Sequence, residues 1–537
     1  GHIVLFVFLS LVLSSAVRVK GEGFDWRHHE EHGNIVSATR NYMGLRHRKS
    51  SQLGAIFAVT AMIADRLAIF QPLKPKVQLS NQVLSNCLDA EVFGSIEQIL
   101  QYILHNRGVP DRTCMGFRGR KEQCTPRNTC VNCYMFRCKA KASYLKYPIT
   151  KYQSIDSSVL KDEIKEHGPV ACIFNDLSFG ELVGFTDDGH FNAKRDLGVF
   201  HGNEGYDAIT REHIKQCWGV TIDEPYRYVD HGLAEILRFE SLWEIQSTKF
   251  EGSLSNERGT TNSKSRHQSL RHIPISNLPT NFSWMNRNTL TPVQSHHNGP
   301  GYCGACWSMA AASTFSDRLK IHSTGSASMD VFVSPQSIID CVKGNRSHGC
   351  FGGDSADVWP YYNKVGTVDE TCNLWVSKHQ HCSSQEPSCK YCDANGKCKA
   401  VPKENFTTYH SQSWGTVHGE EKMMNEIYQG GPIDCMIATP HAFSEDFTGD
   451  GIICDHESKP SQWHISHDIS IVGWGETERG EKYWLLRNSW GTRFGDNGFA
   501  KVCRGLNKPK GNMLIESSCT WVLPTVNSKQ LPLSDLS

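Results

Sequence analysis

Polar and apolar positions divide the chain before any motif is sought. Residues 3–13 form an apolar run followed by the small residues Ser14, Ser15 and Ala16, the pattern of a secretory signal core and its cleavage region. That run is too short to cross a bilayer, and residues 1–20 are read as a signal peptide. A second break falls at residues 247–271, where Phe250, Leu254 and Leu270 are the large apolar side chains among Ser, Thr, Asn, Gly and basic residues. Such a segment cannot offset its ordering entropy by burial, so residues 246–274 read as a flexible linker between residues 21–245 and 275–527, with 528–537 as a tail. Residues 308–321, rich in Ala, Ser and Met, predict a helix, and the apolar stretches 469–472 and 483–486 predict strands. No stretch after the first 20 residues reads as 18 apolar residues in a row, so a membrane span is not expected.

The two long segments repeat one another. Asp65-Arg66-Leu67 answers Asp317-Arg318-Leu319; Ser80, Gln82 and Cys87 answer Ser334, Gln336 and Cys341; Asp111, Thr113 and Cys114 answer Asp369, Thr371 and Cys372. The series Cys124, Cys130, Cys133, Cys138 parallels Cys382, Cys389, Cys392, Cys398, and Gly168-Pro169-x-x-Cys172 parallels Gly431-Pro432-x-x-Cys435. Order kept over this distance points to a tandem duplication of one domain.

Twenty-one cysteines in 537 residues argue for an oxidising compartment and a disulfide framework, and an odd total leaves a thiol over. Cys130-x-x-Cys133 and Cys389-x-x-Cys392 have zinc-ligand spacing, but in that compartment disulfides are the preferred reading and no metal or cofactor is expected. Lys plus Arg equals Asp plus Glu at 56 each, which removes the charge argument for nucleic acid or a polybasic membrane surface. Sequons at Asn281, Asn345 and Asn405 fit a secretory glycoprotein, lysosomal or extracellular.

The chemistry gathers in the second half. Cys303-Gly304-Ala305-Cys306-Trp307 leads into the predicted helix, whose N-terminal dipole is expected to lower the Cys306 pKa and yield a thiolate nucleophile. His467 at a strand start can serve as general base and acid, and the amide of Asn488, in Asn488-Ser489-Trp490-Gly491, can accept the imidazole N–H and fix its tautomer. These residues together resemble the papain family of cysteine peptidases, with its C-G-[SA]-C-[WY] signature and later His and Asn. Gln294, Gly349-Cys350-Phe351-Gly352-Gly353, Asp369-Glu370-Thr371-Cys372 and the 421–428 segment narrow the likeness to the family's cathepsin X branch, exopeptidases that remove C-terminal residues.

The resemblance implies an α+β fold of two tandem papain-like domains, each with a helical lobe and a β-barrel-like lobe across a cleft. It makes Cys306, His467, Asn488 and the oxyanion donor Gln294 the catalytic set. Gly352, Gly353 and Trp490 become substrate-binding residues, with Trp490 shielding the Asn488 contact. The enlarged loop 295–301 stands where that branch carries a His for the substrate's terminal carboxylate, so His296 and His297 are the anchor candidates. It also implies disulfides Cys303–Cys350, Cys341–Cys382, Cys372–Cys389, Cys392–Cys398 and Cys435–Cys519, leaving Cys454 and Cys503 to bridge each other, and in the first half Cys87–Cys124, Cys114–Cys130 and Cys133–Cys138, with Cys172 and Cys217 unassigned. Two features depart from the branch: no Cys lies between residues 245 and 275 to cap the thiol, and Asp468 follows His467 where an apolar residue is usual. In the first half, matching by offset puts Gly54 at the nucleophile, Ser51 opposite Cys303 and Tyr42 opposite Gln294, and matching Trp218-Gly219 to Trp474-Gly475 puts Arg211 at the histidine and His231 at the asparagine. That half is expected to lack the chemistry. Partners implied are peptide or protein substrates, with contact between the halves left open.

Overall fold

The computed structural model describes residues 23–237 and 272–527 apart from short stretches at 31–32, 42–49, 73, 90–93, 135–136, 200–201, 203–204, 236, 324–329, 383–385 and 393–396. The predicted signal peptide, most of the linker, the tail and Tyr42 lie outside the described residues.

Both halves are built around one buried helix. In the first, α1 (Ser50–Phe70) is followed by α2 (Asn81–Cys87), α3 (Ile96–His105) and α4 (Leu160–His167). In the second, α5 (Cys306–His322) is followed by α6 (Pro335–Cys341), α7 (Ser355–Lys364) and α8 (Glu420–Gly430). Every residue of α5 from Trp307 to Lys320 is buried, the mark of a helix enclosed on all sides rather than amphipathic at a surface. The same holds for α1, whose Leu53–Phe70 window has mean hydropathy 1.8 and membrane-spanning length but is 83% buried inside the protein. It is therefore described as a core helix.

Strands of the first half are β1 (Phe24–Asp25), β2 (Val131–Tyr134), β3 (Arg137–Ala140), β4 (Ser143–Lys146), β5 (Ile149–Ile155), β6 (Val170–Phe174), β7 (Phe179–Phe185), β8 (Phe191–Lys194), β9 (Tyr206–Ile209), β10 (Ile214–Ile222) and β11 (Tyr226–Val229). Those of the second are β12 (Phe282–Ser283), β13 (Lys390–Cys392), β14 (Cys398–Ala400), β15 (Thr408–Val417), β16 (Ile433–Ala438), β17 (Ile452–Ile453), β18 (Ile465–Glu476), β19 (Lys482–Arg487), β20 (Phe499–Cys503) and β21 (Cys519–Asn527). The main sheets run β5-β10-β6-β7-β8-β9 and β15-β21-β16-β18-β19-β20-β17, with β1 on β7 and β12 on β18. The six strands of the first order map in turn onto the first six of the second, and β17 at the far edge has no counterpart among the described residues. Each half thus pairs a helical lobe with a β lobe as expected, the barrel-like β lobe being a sheet that does not close on itself among the described residues.

Helix and sheet are tied by two neighbouring charges. Asp317 on α5 binds Arg487 at the end of β19 through Arg487 Nη2 at 2.5 Å and also accepts from Thr291, with Asp317 and Arg487 side chains 0% and 2% exposed. Arg318 donates to Pro432 O, Val522 O, Gly431 O and Glu426 Oε1 at 2.6–3.0 Å. In the first half Arg66 repeats this with Pro169 O, Val220 O, Gly168 O and Glu163, and Asp65 pairs with the fully buried Lys194 on β8 at 3.0 Å.

Ten disulfides use twenty cysteines. They are Cys87–Cys124, Cys114–Cys130, Cys133–Cys138, Cys172–Cys217, Cys303–Cys350, Cys341–Cys382, Cys372–Cys389, Cys392–Cys398, Cys435–Cys519 and Cys454–Cys503. Cys172–Cys217 joins β6 to β10 as Cys435–Cys519 joins β16 to β21, which assigns the pair that the sequence leaves open. With both Cys-x-x-Cys motifs held in disulfides, the zinc reading of those motifs has no thiolates to use.

Removing one partner of a buried ion pair leaves the other uncompensated, at about 3–5 kcal/mol. Asp317→Ala is therefore expected to lower the stability of the second half by about that amount in urea unfolding. A loss below about 1 kcal/mol, the range of a surface pair, would show that the α5–β19 tie does not hold the lobes together.

Candidate active site

The nucleophile candidate is positioned by the start of α5. Ala305 precedes the helix in a non-helical conformation, and its carbonyl accepts from the N–H groups of Ser308 and Met309. Cys306 is the first helical residue and the free cysteine of the chain, and it is partly exposed. The Cys303–Cys350 disulfide and the Gly304 N–H on Cys350 O at 2.7 Å fix the approach to it. Trp307 turns inward, fully buried, with its indole N–H on Gly349 O at 3.2 Å. A Cβ on Gly353 would come within 2.4 Å of that ring, so Gly353 is required for close packing behind the thiol. Gly352 beside it has φ +101° and leaves this wall of the cleft open.

Burial pushes the Cys306 thiol up to about 12, the Asp468 carboxylate adds to that push, and the backbone N–H groups of Asp468 and Trp307 oppose it. The helix N-terminus, from which the sequence expectation of a lowered value comes, acts against this push.

His467, on β18, is 5% exposed, and its Nε2 lies 2.7 Å from Asn488 Oδ1. Asn488 Oδ1 also accepts the Ser489 N–H at 2.7 Å. An amide oxygen only accepts, so Nε2 carries the proton and Nδ1 keeps the lone pair. Trp490 stacks on the imidazole at 4.7 Å between centroids, and Phe443 and Phe494 pack around Trp490. Burial holds the His467 imidazole down at about 4 against the Asn488 hydrogen bond. A lone thiolate and a lone imidazolium are both unfavourable here.

Gln294 is 5% exposed and gives one amide N–H to Pro292 O at 3.0 Å, which leaves its second amide hydrogen for another acceptor. The loop that follows lies along the asparagine segment: Gly491 N–H donates to Gln294 O, His296 N–H to Ser489 O, and Ser295 bridges Trp490. His296 and His297 are 3% and 2% exposed. The His296 ring is 6.2 Å from that of His467, and its Nδ1 has no hydrogen-bond partner among the described residues. His297 stacks on Trp490 at 6.2 Å and has Glu445 at 3.8 Å. Burial keeps both imidazoles well below their usual range, so both are neutral. Asn281 and Asn345 are exposed and Asn405 half-buried.

Strand register corrects the equivalences in the first half. Val170 pairs Leu182 as Ile433 pairs Ile471, and Glu181 pairs Lys194 as Ser470 pairs Arg487. Counting along the strands puts Ser178 where His467 stands and Arg195 where Asn488 stands, and Arg195 Nη1 donates to Ser178 Oγ at 2.8 Å. Arg211 and His231 are not the counterparts. Trp218-Gly219 belongs to β10, the equivalent of β21, so its likeness to Trp474-Gly475 of β18 misleads. Arg211 sits at the surface on Ser157, and His231 is exposed beyond β11. Gly54, buried in α1, keeps the nucleophile position, while the side chain of Ser51 lies outside the described residues.

Replacing Asp468 by Asn removes a negative neighbour from the sulfur but keeps the backbone N–H. The thiol pKa should fall, and alkylation by iodoacetamide at pH 7, which follows the thiolate fraction, should quicken by about tenfold per pKa unit. Mass spectrometry of the Cys306 peptide reads the rate, and an unchanged rate would remove Asp468 from the electrostatics of the thiol.

The model of the papain family cysteine proteases matches residues 21–183 and 278–522. A cathepsin Z of Onchocerca volvulus is 35% identical over 265 residues, 48% of this chain and 82% of that protein. A tubulointerstitial nephritis antigen of Bos taurus is 27% identical over 338 residues, 59% of this chain and 64% of that protein. Among solved structures, the bromelain protease from Ananas comosus aligns with 46% of this chain and 99% of its own at 22% identity, with a TM-score of 0.35. With the family matched over both halves, and a free thiol at a helix start in the second, the chain belongs to the papain family of cysteine proteases.

Proposed function

We propose that the second half is a cysteine carboxypeptidase of the secretory pathway, lysosomal or extracellular, that removes residues from the C-termini of peptides, and that the first half does not catalyse. The observation that carries the reading is the placement of His296. A neutral imidazole with an unpartnered Nδ1 stands 6.2 Å from the His467 ring, on a buried loop, while Cys306 stays partly exposed. A buried imidazole nitrogen without a partner is suited to a free carboxylate on the leaving side.

In the proposed reaction Cys306 passes its proton to His467 Nδ1 and the sulfur attacks the scissile carbonyl. The oxyanion takes N–H donors from the Cys306 backbone and the second Gln294 amide hydrogen. His467 gives the proton to the departing amine, the C-terminal residue leaves, and a thioester remains. Water, deprotonated by the same imidazole, attacks the thioester and restores the thiol. Asn488 holds the imidazole by Nε2, and Trp490 covers that contact. The first half has Gly54, Ser178 and Arg195 at the three positions, which supply neither nucleophile nor base.

The test is one peptide prepared with a free and an amidated C-terminus, incubated with the chain under mild reductant at acid pH and followed by mass spectrometry. Stepwise C-terminal loss is expected from the free acid alone, with none after Cys306→Ala. His296→Ala should lower kcat/KM on the free acid by about 10- to 100-fold, the worth of a hydrogen bond to a charged group, while Cys306 alkylation stays unchanged. Equal cleavage of both peptides would make the enzyme an endopeptidase, and no Cys306-dependent product would leave a peptide-binding protein.

A further inference from the structure

Loop 295–301 is polar and glycine-rich, yet Ser295, His296, His297 and Asn298 are all 4% exposed or less. Polar loops lie at surfaces unless something covers them. Here the cover is the first half. The Cys133 N–H, in the disulfide-closed β2–β3 hairpin, donates to His297 O at 2.7 Å, and Asn298 Nδ2 donates to Arg112 O at 2.7 Å. Tyr302, just past the loop, packs on the core of the first half.

The contact continues beneath Trp490. Asn132 accepts from Arg493 Nη2 at 2.5 Å and donates to Glu445 at 3.0 Å. Arg493 also donates to Trp490 O, so a chain of hydrogen bonds leads from the hairpin to the residue stacked on His467. Beside it Thr492 N–H donates to Thr113 Oγ1 at 3.1 Å, and Thr492 Oγ1 to Asp111 at 2.6 Å. Gly491 has φ +84°, and a Cβ there would meet Thr113 at 2.8 Å.

These contacts are half of a pseudo-twofold arrangement. Val199, four residues past Arg195 as Thr492 is past Asn488, gives its N–H to Thr371 Oγ1 at 3.1 Å, and Thr371 is the counterpart of Thr113. On the axis, equivalent positions face one another: Arg112 forks onto Glu370 at 2.5 and 2.8 Å, and Lys76 meets Asp330 at 2.5 Å. Two identical halves would bring like charges together at both places, so this docking is specific to the unlike pair.

We propose that the first half is a specificity element of the second: through Arg112, Thr113, Asn132 and Cys133 it holds loop 295–301 closed over the leaving-group side, and the preference for free C-termini depends on that clamp. The inference rests on the carboxypeptidase reading of the loop. None of the four clamp residues belongs to the proposed catalytic set, so the full-length chain can be altered at the clamp alone.

Arg112→Glu sets a carboxylate against Glu370, Glu370→Arg sets a guanidinium against Arg112, and the double exchange restores opposite charges in reversed order. For each chain the free-acid to amide ratio of kcat/KM is measured on the same peptide. A parent chain that cleaves both forms equally removes the carboxypeptidase reading itself. With a selective parent, each single variant is expected to lose about tenfold or more of the ratio and to gain internal cuts, and the double exchange to recover it. An unchanged ratio in the single variants overturns the proposal. Should a single variant lose both activities in proportion, as misfolding would, Thr113→Val combined with Asn132→Ala replaces it, with the same ratio deciding.

Discussion

Two opposite charges on successive residues of a helix buried from Trp307 to Lys320 set the geometry of everything else. Asp317 and Arg318 point about 100° apart around α5, so one helix can grip two parts of the sheet. Asp317 takes Arg487, the residue before Asn488, and Arg318 takes the Gly431-Pro432 turn and β21. Cys306 starts the same helix three turns earlier. The thiol and the asparagine therefore belong to one rigid assembly, and His467 is placed by the strand paired between them. A buried charge without its partner is costly, so neither lobe can rotate away without exposing a side chain that has nowhere else to go.

Inside that frame the low dielectric decides the chemistry. The thiol is driven up and the imidazole down, so burial acts against the charged form of each. Asp468 makes a solitary thiolate still less favourable, while its backbone N–H supports the sulfur. Trp490, itself packed by Phe443 and Phe494, stacks on the imidazole that Asn488 holds, and the His467–Asn488 bond lies between buried side chains.

Much of this was legible in the sequence because it is local or covalent. Cys306, His467 and Asn488 each carry chemistry in their own neighbourhoods, and the order of the cysteines limits their pairing. What was not legible depends on register. Trp218-Gly219 resembles Trp474-Gly475 as a string, but hydrogen bonding puts the first on the counterpart of β21, and only Cys172 and Cys217, left without partners, hinted at that. The thiol's electrostatics also escaped, since a helix start reads from sequence whereas the burial around it does not. The contact between halves joins surfaces more than 150 residues apart in the chain; its one trace was the repeated Asp-x-Thr-Cys, whose Thr turns out to face the other half in both copies.

What the first half has kept separates scaffold from chemistry. It retains Asp65 with a cationic partner, Arg66 with the equivalent acceptors, the Cys172–Cys217 bridge, and the Asp111 and Thr113 positions at the interface. It has Gly54, Ser178 and Arg195 where thiol, imidazole and amide stand in the second half. Lys194 does the work of Arg487 with a different cation, and Glu181 joins Asp65 around it at 2.8 Å, so the helix–sheet tie tolerates exchange of its groups while the tie itself persists. A half maintained only by its own folding would need the helix dyad and the core, but not threonines and charges directed outward. Arg112 and Lys76 meet Glu370 and Asp330 where a symmetric pair would repel, and that asymmetry has no use within the first half alone. The outward-facing residues all meet the other half: Lys76 and Arg112 take Asp330 and Glu370, the Arg112 carbonyl takes Asn298 of loop 295–301, and Thr113 takes Thr492, two residues past Trp490.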